Sequence, residues 1–153
     1  MNTNFKEEYK NWIEKMSKNN FDELILNYCK EYYNTRDVYI SDGPYDGGVD
    51  LIYSIEGTGC KKNIQITVQK DKFESKLEKD LIKSRENVNK YNYLNTLDFY
   101  ISQAVTPEKK KKLIKDAEIK HQITLRIIDA NELSGLANEY KSDRKSTRLN
   151  SSH

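Results

Sequence analysis

The feature that most restricts the fold is a pair of β-strand patterns between residues 47 and 70. The first strand is predicted over residues 49–55 and the second over residues 63–69, with a Gly-containing turn at residues 56–59 between them. Two strands joined by so short a connection pair in antiparallel orientation. The sequence therefore predicts a β-hairpin, and the other elements have to be fitted around it.

Helix and strand patterns alternate after the hairpin. Apolar spacing predicts helices over residues 71–91, 107–120 and 131–140, and strands over residues 97–105 and 123–128. Asp129 or Asn131 is expected near the cap of the last helix, and Pro107 opens the helix before it. Parallel strands need crossover connections of this kind. This half of the chain therefore predicts a parallel sheet.

Two amphipathic helices are predicted before the hairpin, over residues 5–16 and 21–32, with Asn20 as the N-cap of the second. A short strand follows at residues 38–41. Together these patterns predict an α/β fold with a mixed central sheet, antiparallel at the hairpin and parallel afterwards, and with helices on both faces.

The C-terminal residues 143–153, DRKSTRLNSSH, resemble the translation of a common short-read sequencing adapter. We therefore interpret residues 1–142 as one domain and residues 143–153 as a disordered tail foreign to the protein, and we expect the natural chain to continue past Ser142 with further domains. The tail holds three basic residues and one acid, so the formal net charge of residues 1–142 is zero and not the +2 of the full chain. Overall charge is thus no argument for binding to nucleic acid.

Several protein classes are disfavoured by composition. The sequence has no apolar run of membrane-spanning length and no signal-peptide pattern, so a cytoplasmic protein without a membrane partner is expected. Its two cysteines, Cys29 and Cys60, lack the spacing of zinc ligands and are predicted to be free thiols.

A polar site is predicted on the hairpin. Asp50 opens the first strand after Gly47 and Gly48, and Gln65, Thr67 and Gln69 alternate with apolar residues on the second. Because side chains alternate along a strand, these three polar residues share one face. Lys70 is predicted to point to the other face unless a bulge intervenes.

These residues resemble the restriction-endonuclease-like, or PD-(D/E)xK, superfamily, and within it the Mrr-like and phage-defence branches. The resemblance is carried by residues 47–52 and by the strand at residues 64–70 that enters a long helix, and it extends over nearly all of residues 1–142. It implies a three-layer core with the mixed sheet in the middle. In the superfamily, an Asp on the first strand and an acid on the second bind Mg²⁺, and a lysine two residues later assists the attacking water. By position, Asp50 matches the first acid, whereas Gln65 and Thr67 stand where the second acid and the lysine are expected.

An acid on the first core helix often completes the site in this superfamily. Asp22 lies on the flank of the apolar stripe of the second helix and Glu23 lies on its far side, so Asp22 is the better match. The same carboxylate could instead complement the helix dipole, and both readings stay open.

The resemblance implies a divergent Mg²⁺-dependent endodeoxyribonuclease that acts on DNA in restriction or phage defence. Its catalytic residues would be Asp50, Gln65 and Thr67, and its Mg²⁺ ligands Asp50 and Asp22. The absence of the site lysine is expected to lower the rate by about 10²- to 10³-fold. The alternative is a catalytically silent module that keeps the nuclease fold and binds nucleic acid or a partner protein.

Four consecutive lysines, Lys109 to Lys112, fall in the helix that Pro107 opens. On a helix such a run points in four directions, so a solvated surface is favoured over a phosphate-binding patch.

Overall fold

The computed structural model describes residues 2–33, 38–40, 51–54 and 59–136. In chain order the elements are α1 (Asn2–Glu14), α2 (Lys18–Tyr32), β1 (Val38–Ile40), β2 (Leu51–Ser54), β3 (Lys61–Thr67), α3 (Phe73–Tyr91), β4 (Tyr93–Ile101), α4 (Pro107–His121) and β5 (Thr124–Ile128). A further helix, α5, occupies residues 130–136.

The five strands form one mixed sheet in the order β1-β2-β3-β4-β5. β1, β2 and β3 pair in antiparallel orientation, and β3, β4 and β5 are parallel. α3 connects β3 to β4 and α4 connects β4 to β5, as parallel pairing requires. The predicted mixed α/β fold is thereby confirmed.

The sheet has two covered faces, which we call the α2 face and the α3/α4 face. The α2 face packs mainly on α2, and its apolar core comprises Ile13, Phe21, Ile25, Cys29, Leu51, Ile64, Ile66, Tyr100, Ile128, Ala130 and Leu133. On the α3/α4 face the apolar core comprises Phe73, Leu77, Leu81, Leu97, Phe99, Ile101, Val105, Ala117, Ile123, Leu125 and Ile127. β4 contributes residues to both cores, which is why its sequence is almost continuously apolar.

The N-terminus of α2 differs from the prediction. Ser17, and not Asn20, is the N-cap, and its hydroxyl accepts a hydrogen bond from the Asn20 backbone N–H at 3.2 Å. Serine and asparagine are about equally good caps, so propensity alone could not choose between the two positions. The predicted start of α4 is confirmed, since Pro107 follows the N-cap Thr106.

β3 and β4 both begin and end earlier than predicted. β3 ends at Thr67 because the Thr67 hydroxyl accepts a hydrogen bond from the Gln69 backbone N–H at 3.1 Å, which turns the chain away from the sheet. β4 begins at Tyr93, directly after Asn92, whose left-handed backbone ends α3. The predicted strand boundaries at Gln69 and Val105 are therefore wrong.

Asp129 is the N-cap of α5, and it is one of the two residues, Asp129 and Asn131, that were predicted near this cap. Its carboxylate accepts hydrogen bonds from the backbone N–H groups of Glu132 at 3.0 Å and Val105 at 2.8 Å, and from Lys110 Nζ at 3.0 Å. One buried carboxylate thus fixes the end of β5, the loop before α4 and the start of α5.

Asp50, part of the hairpin turn at residues 56–59 and the tail at residues 143–153 lie outside the described residues. Cys29 and Cys60 are free thiols, as predicted. Within the described ranges, no helix is long and apolar enough to cross a lipid bilayer.

Candidate functional site

Gln65 and Thr67 lie on β3 at the centre of the sheet, both on the α3/α4 face. This assignment follows from strand alternation, because Ile64 and Ile66 belong to the core of the α2 face. Gln65 is 1% exposed and Thr67 is 3% exposed. The two side chains that the resemblance assigns to this strand therefore share one face, as predicted, and both are buried.

Thr67 has a structural role that the sequence did not reveal. Its hydroxyl oxygen accepts from the Gln69 N–H, and its carbonyl oxygen accepts from the Ser102 N–H at 3.1 Å, which joins the ends of β3 and β4. A hydroxyl that accepts one hydrogen bond can still donate its own proton. Thr67 could therefore shape the loop after β3 and also donate a hydrogen bond to a ligand.

Asn63 extends the row of polar side chains on the same face of β3. Its Nδ2 donates to the carbonyl oxygens of Leu94 at 3.2 Å and Thr96 at 3.1 Å, and its Oδ1 accepts from Asn87 Nδ2 of α3 at 3.1 Å. Both amides are buried. The bulge in the β3–β4 pairing between Lys61 and Asn63 explains the need for a side chain that bonds these carbonyls.

Asp22 belongs to the other layer. It lies in the second turn of α2, the helix that covers the α2 face, and its carboxylate pairs with Lys18 Nζ at 2.5 Å. As the helical spacing predicts, Asp22 is half-buried and Glu23 is exposed. The structure does not bring Asp22 onto the face that holds Gln65 and Thr67.

The pairing of β2 with β3 defines the surroundings of the site strand. Leu51, the residue after Asp50, is the antiparallel partner of Ile64, the residue before Gln65. Both side chains are fully buried on the α2 face. The start of β2 therefore lies beside the middle of β3.

A cleft of about 360 Å³ opens where β3 and β4 end. The loop after β3 contributes Lys70, Asp71 and Phe73, the loop after β4 contributes residues 103–106, and Glu14 and Lys109 complete the lining. β3 ends at Thr67, so strand alternation does not extend to Lys70, whose predicted orientation toward the other face assumed a longer strand. In open α/β sheets, ligands bind at the carboxyl ends of the parallel strands.

A charged cluster on the α2 face was not predicted. Asp98, 2% exposed, accepts hydrogen bonds from Lys62 Nζ at 2.9 Å, from Arg126 at 3.5 Å and from the Tyr33 hydroxyl. Burial, followed by the charge of Asp98, raises the pKa of the Tyr33 phenol far above its usual range, so Tyr33 remains a hydrogen-bond donor. A single acid inside an apolar strand was the sequence signal for such a cluster, because a carboxylate is buried only with partners.

Cys29 lies next to this cluster. Burial raises the pKa of its thiol to about 12, so the thiol is protonated at neutral pH. The side chain is also fully buried, and the thiolate is the reactive form, so both observations disfavour a nucleophilic role.

The chemistry that the described residues offer is hydrogen bonding and neutral oxygen ligation. Gln65 and Thr67 supply an amide oxygen and a hydroxyl, which suit a hard cation such as Mg²⁺ but are uncharged. In the described part of the chain, no three His, Cys, Asp or Glu residues are grouped as a metal site. Asp50 is the carboxylate that the resemblance assigns to a magnesium site beside these residues. A second acid, Asp80, is buried on α3, the helix that covers this face, and pairs with Lys76.

Known proteins add no independent support for a family. The resemblance drawn from residues 47–52 and 64–70 therefore remains a prediction, and function has to be argued from the described residues. Comparisons of the chain with protein-family models, with curated proteins and with solved structures give no significant match.

Proposed function

We propose that the chain is a divergent restriction-endonuclease-like domain that hydrolyses DNA phosphodiesters with Mg²⁺. The observation that supports this proposal is the β2–β3 pairing, in which the residue after Asp50 faces the residue before Gln65. The hairpin, the parallel strands and the covering helices also agree with the three-layer core that the resemblance implies.

Asp50 is the principal Mg²⁺ ligand in this proposal, and the side-chain oxygen of Gln65 is a neutral second ligand. Bound Mg²⁺ supplies Lewis-acid activation of the phosphodiester and of the attacking water. The Thr67 hydroxyl would donate a hydrogen bond to that water or to a phosphate oxygen, while its oxygen accepts the hydrogen bond from the Gln69 N–H. Asp22 is the weakest member of the proposed set, since it pairs with Lys18 in the other layer.

A second candidate function is favoured by the burial of Gln65 and Thr67. Both side chains are uncharged and nearly inaccessible, so they could maintain the fold without taking part in a reaction. In that case the chain is a catalytically silent nuclease-fold module that binds nucleic acid or a partner protein.

DNA cleavage by the full chain separates the two functions. Supercoiled and linear DNA would be incubated with the protein and Mg²⁺ or Mn²⁺, with Asp50→Asn as the test variant. Glu118→Gln, which neutralises an exposed acid near the end of α4, is the matched control.

The nuclease proposal expects cleavage by the wild type and by Glu118→Gln, and a loss of at least about 100-fold in Asp50→Asn. Cleavage that persists in Asp50→Asn would contradict the site. Binding without cleavage, unchanged in Asp50→Asn, would support the silent module.

A further inference from the structure

The two helical layers differ in charge although residues 1–142 are neutral overall. α1 and α2 each carry two lysines and three acids. α3 carries five basic and four acidic residues, and α4 carries six lysines and three acids. The excess of positive charge thus lies on the layer that covers the α3/α4 face, and α4 holds most of it.

The lysine run lies at the end of α4 that least favours it. Lys109, Lys110, Lys111 and Lys112 fall in the first two turns after Pro107. The N-terminus of a helix carries a partial positive charge, so cations there are destabilising. A run of lysines at this position raises the local positive potential further.

Only two of the four lysines are neutralised. Lys109 pairs with Glu74 of α3, and Lys110 pairs with Asp129 at 3.0 Å. Lys111 and Lys112 are exposed, and neither forms an ion pair with any residue in the described ranges. Lys115, one turn further along α4, is exposed and unpaired among the same residues.

The unpaired lysines lie on the helix that starts at the carboxyl ends of the parallel strands, although none of them lines the cleft itself. α4 begins directly after the β4 loop, and both Thr106 and Lys109 line the cleft. Lys70 lines the cleft from the β3 loop, and Lys72 follows it. The acids at this edge are Glu14 and Asp71 in the lining and exposed Glu108 at the start of α4.

We propose that the outer surface of the N-terminal half of α4, formed by Lys111, Lys112 and Lys115, binds the phosphate backbone of double-stranded DNA. The inference rests on DNA as the ligand in the proposed function, but it does not require hydrolysis. A duplex presents phosphates at regular intervals, so it can contact several exposed lysines of one helix at once, whereas a single small anion contacts fewer of them. DNA held there would lie against the outer side of α4, the helix whose first turn lines the cleft.

Equilibrium binding without metal tests the surface independently of catalysis. A fluorescein-labelled DNA duplex would be titrated with the full chain in EDTA at several KCl concentrations, with anisotropy as the readout. The test variant is Lys111→Gln/Lys112→Gln. The matched control is Lys6→Gln/Lys30→Gln, which removes the same charge from α1 and α2.

Each lost phosphate contact should lower the slope of log affinity against log salt by about 0.9. We therefore expect the slope to fall by about 2 and the affinity at low salt to fall at least about tenfold in the test variant, with the control within about twofold of the wild type. Equal weakening of both variants, or no binding of the wild type, would overturn the proposal. So would binding of poly-glutamate in place of DNA, since the surface would then fit an acidic protein.

Failure of this test is distinguishable from failure of the proposed function. Cleavage that depends on Asp50, together with unaltered binding by Lys111→Gln/Lys112→Gln, would retain the nuclease and remove the α4 surface. Salt-dependent binding that needs these lysines, without any cleavage, would retain the surface and remove the nuclease.

Discussion

Two central strands of the sheet, β4 and β3, bury polar side chains in different ways. On the α2 face, the Asp98 carboxylate is surrounded by Lys62, Arg126 and the Tyr33 hydroxyl. Along β3, the α3/α4 face buries only neutral groups, namely Asn63, Gln65 and Thr67. β4 thus buries a charge with its counter-charges, and β3 buries none. The helix α3, which covers the face of β3 that holds these three residues, buries one carboxylate, Asp80, which pairs with Lys76.

This difference explains why an acid and a lysine can be absent from β3 together. A carboxylate at position 65 would be almost fully buried on a strand that carries no buried charge on this face, and it would need a metal ion or a lysine for compensation. Gln65 and Thr67 remove both charges at once. The neutral strand can therefore fold without a bound cation, whereas Asp98 depends on Lys62 and Arg126.

The largest effect is expected from Gln65→Glu, which introduces a charge on the neutral site strand. Without metal, the buried carboxylate should lower the free energy of unfolding at pH 7 by about 4 kcal/mol, or the Tm by roughly 10 °C. Burial raises the pKa of the new carboxyl group in the folded state. The loss should therefore be small below the pKa of the unfolded state and grow as pH rises through the folded-state pKa. Thermal unfolding between pH 3 and 8 measures this dependence.

Magnesium extends the same experiment to the proposed site. If Asp50 lies beside residue 65, Mg²⁺ should restore part of the Tm of Gln65→Glu and have less effect on the wild type. Asn95→Asp, on an exposed side chain of β4, is the control and should change the Tm by less than about 1 °C. A Gln65→Glu variant that Mg²⁺ does not stabilise would count against a metal site at this position.

The next largest effect is expected from Asp98→Ala, which removes the acid from the charged face. Lys62 and Arg126 would lose their partner, but both are partly exposed, with side-chain exposures of 19% and 34%. We expect a loss of about 3 kcal/mol in urea unfolding at pH 7. Asp98→Asn should lose less, because it keeps the shape and one acceptor.

The exposed pair of Glu86 and Lys90 provides the matched control for Asp98. Both side chains are more than half exposed, so Glu86→Ala should lose less than about 0.5 kcal/mol. Equal losses in Asp98→Ala and Glu86→Ala would show that the buried cluster is not more important than a surface ion pair.

Periodicity was sufficient to predict the elements and their order. The apolar spacing that places Phe73, Leu77 and Leu81 toward the core is the spacing that defines α3. Strand ends were less predictable, because the end of β3 depends on a hydrogen bond of the Thr67 side chain and the start of β4 on the backbone conformation of Asn92. Such local bonds leave no periodic signal.

The candidate site was only partly predictable. Alternation correctly placed Gln65 and Thr67 on one face, but the side of the sheet that α2 covers is a property of tertiary packing. For that reason the sequence could not show that Asp22 lies on the α2 side of the sheet, opposite to the face that holds Gln65 and Thr67. Similarly, Asn63 and Asn87 are 24 positions apart in the chain, and no pattern connects them before α3 packs on β3.

A smaller loss is expected when the site strand loses one hydrogen bond to α3. Asn87→Ala removes the donor to Asn63 Oδ1 and leaves a small cavity, so the free energy of unfolding should fall by about 1–2 kcal/mol with little dependence on pH or salt. Lys83→Ala, on the exposed side of α3, should change it by less than about 0.5 kcal/mol. A strong salt dependence in Asn87→Ala would contradict a purely neutral network.

The smallest effect is expected at the outer edge of the α3/α4 layer, where Arg85 bonds the C-terminal end of α4. Its guanidinium donates to the carbonyl oxygens of His121 at 3.4 Å and Gln122 at 3.2 Å. Arg85→Gln should lose less than about 1 kcal/mol of global stability, because solvent can replace bonds to exposed helix ends. Amide hydrogen exchange should accelerate in the last turn of α4 and stay unchanged in β3 and β4. Faster exchange throughout β3 would instead mean that the site strand depends on this surface contact. In that case β3 would not be stable by its own neutral hydrogen bonds, and its contrast with Asp98, which depends on Lys62 and Arg126, would fail.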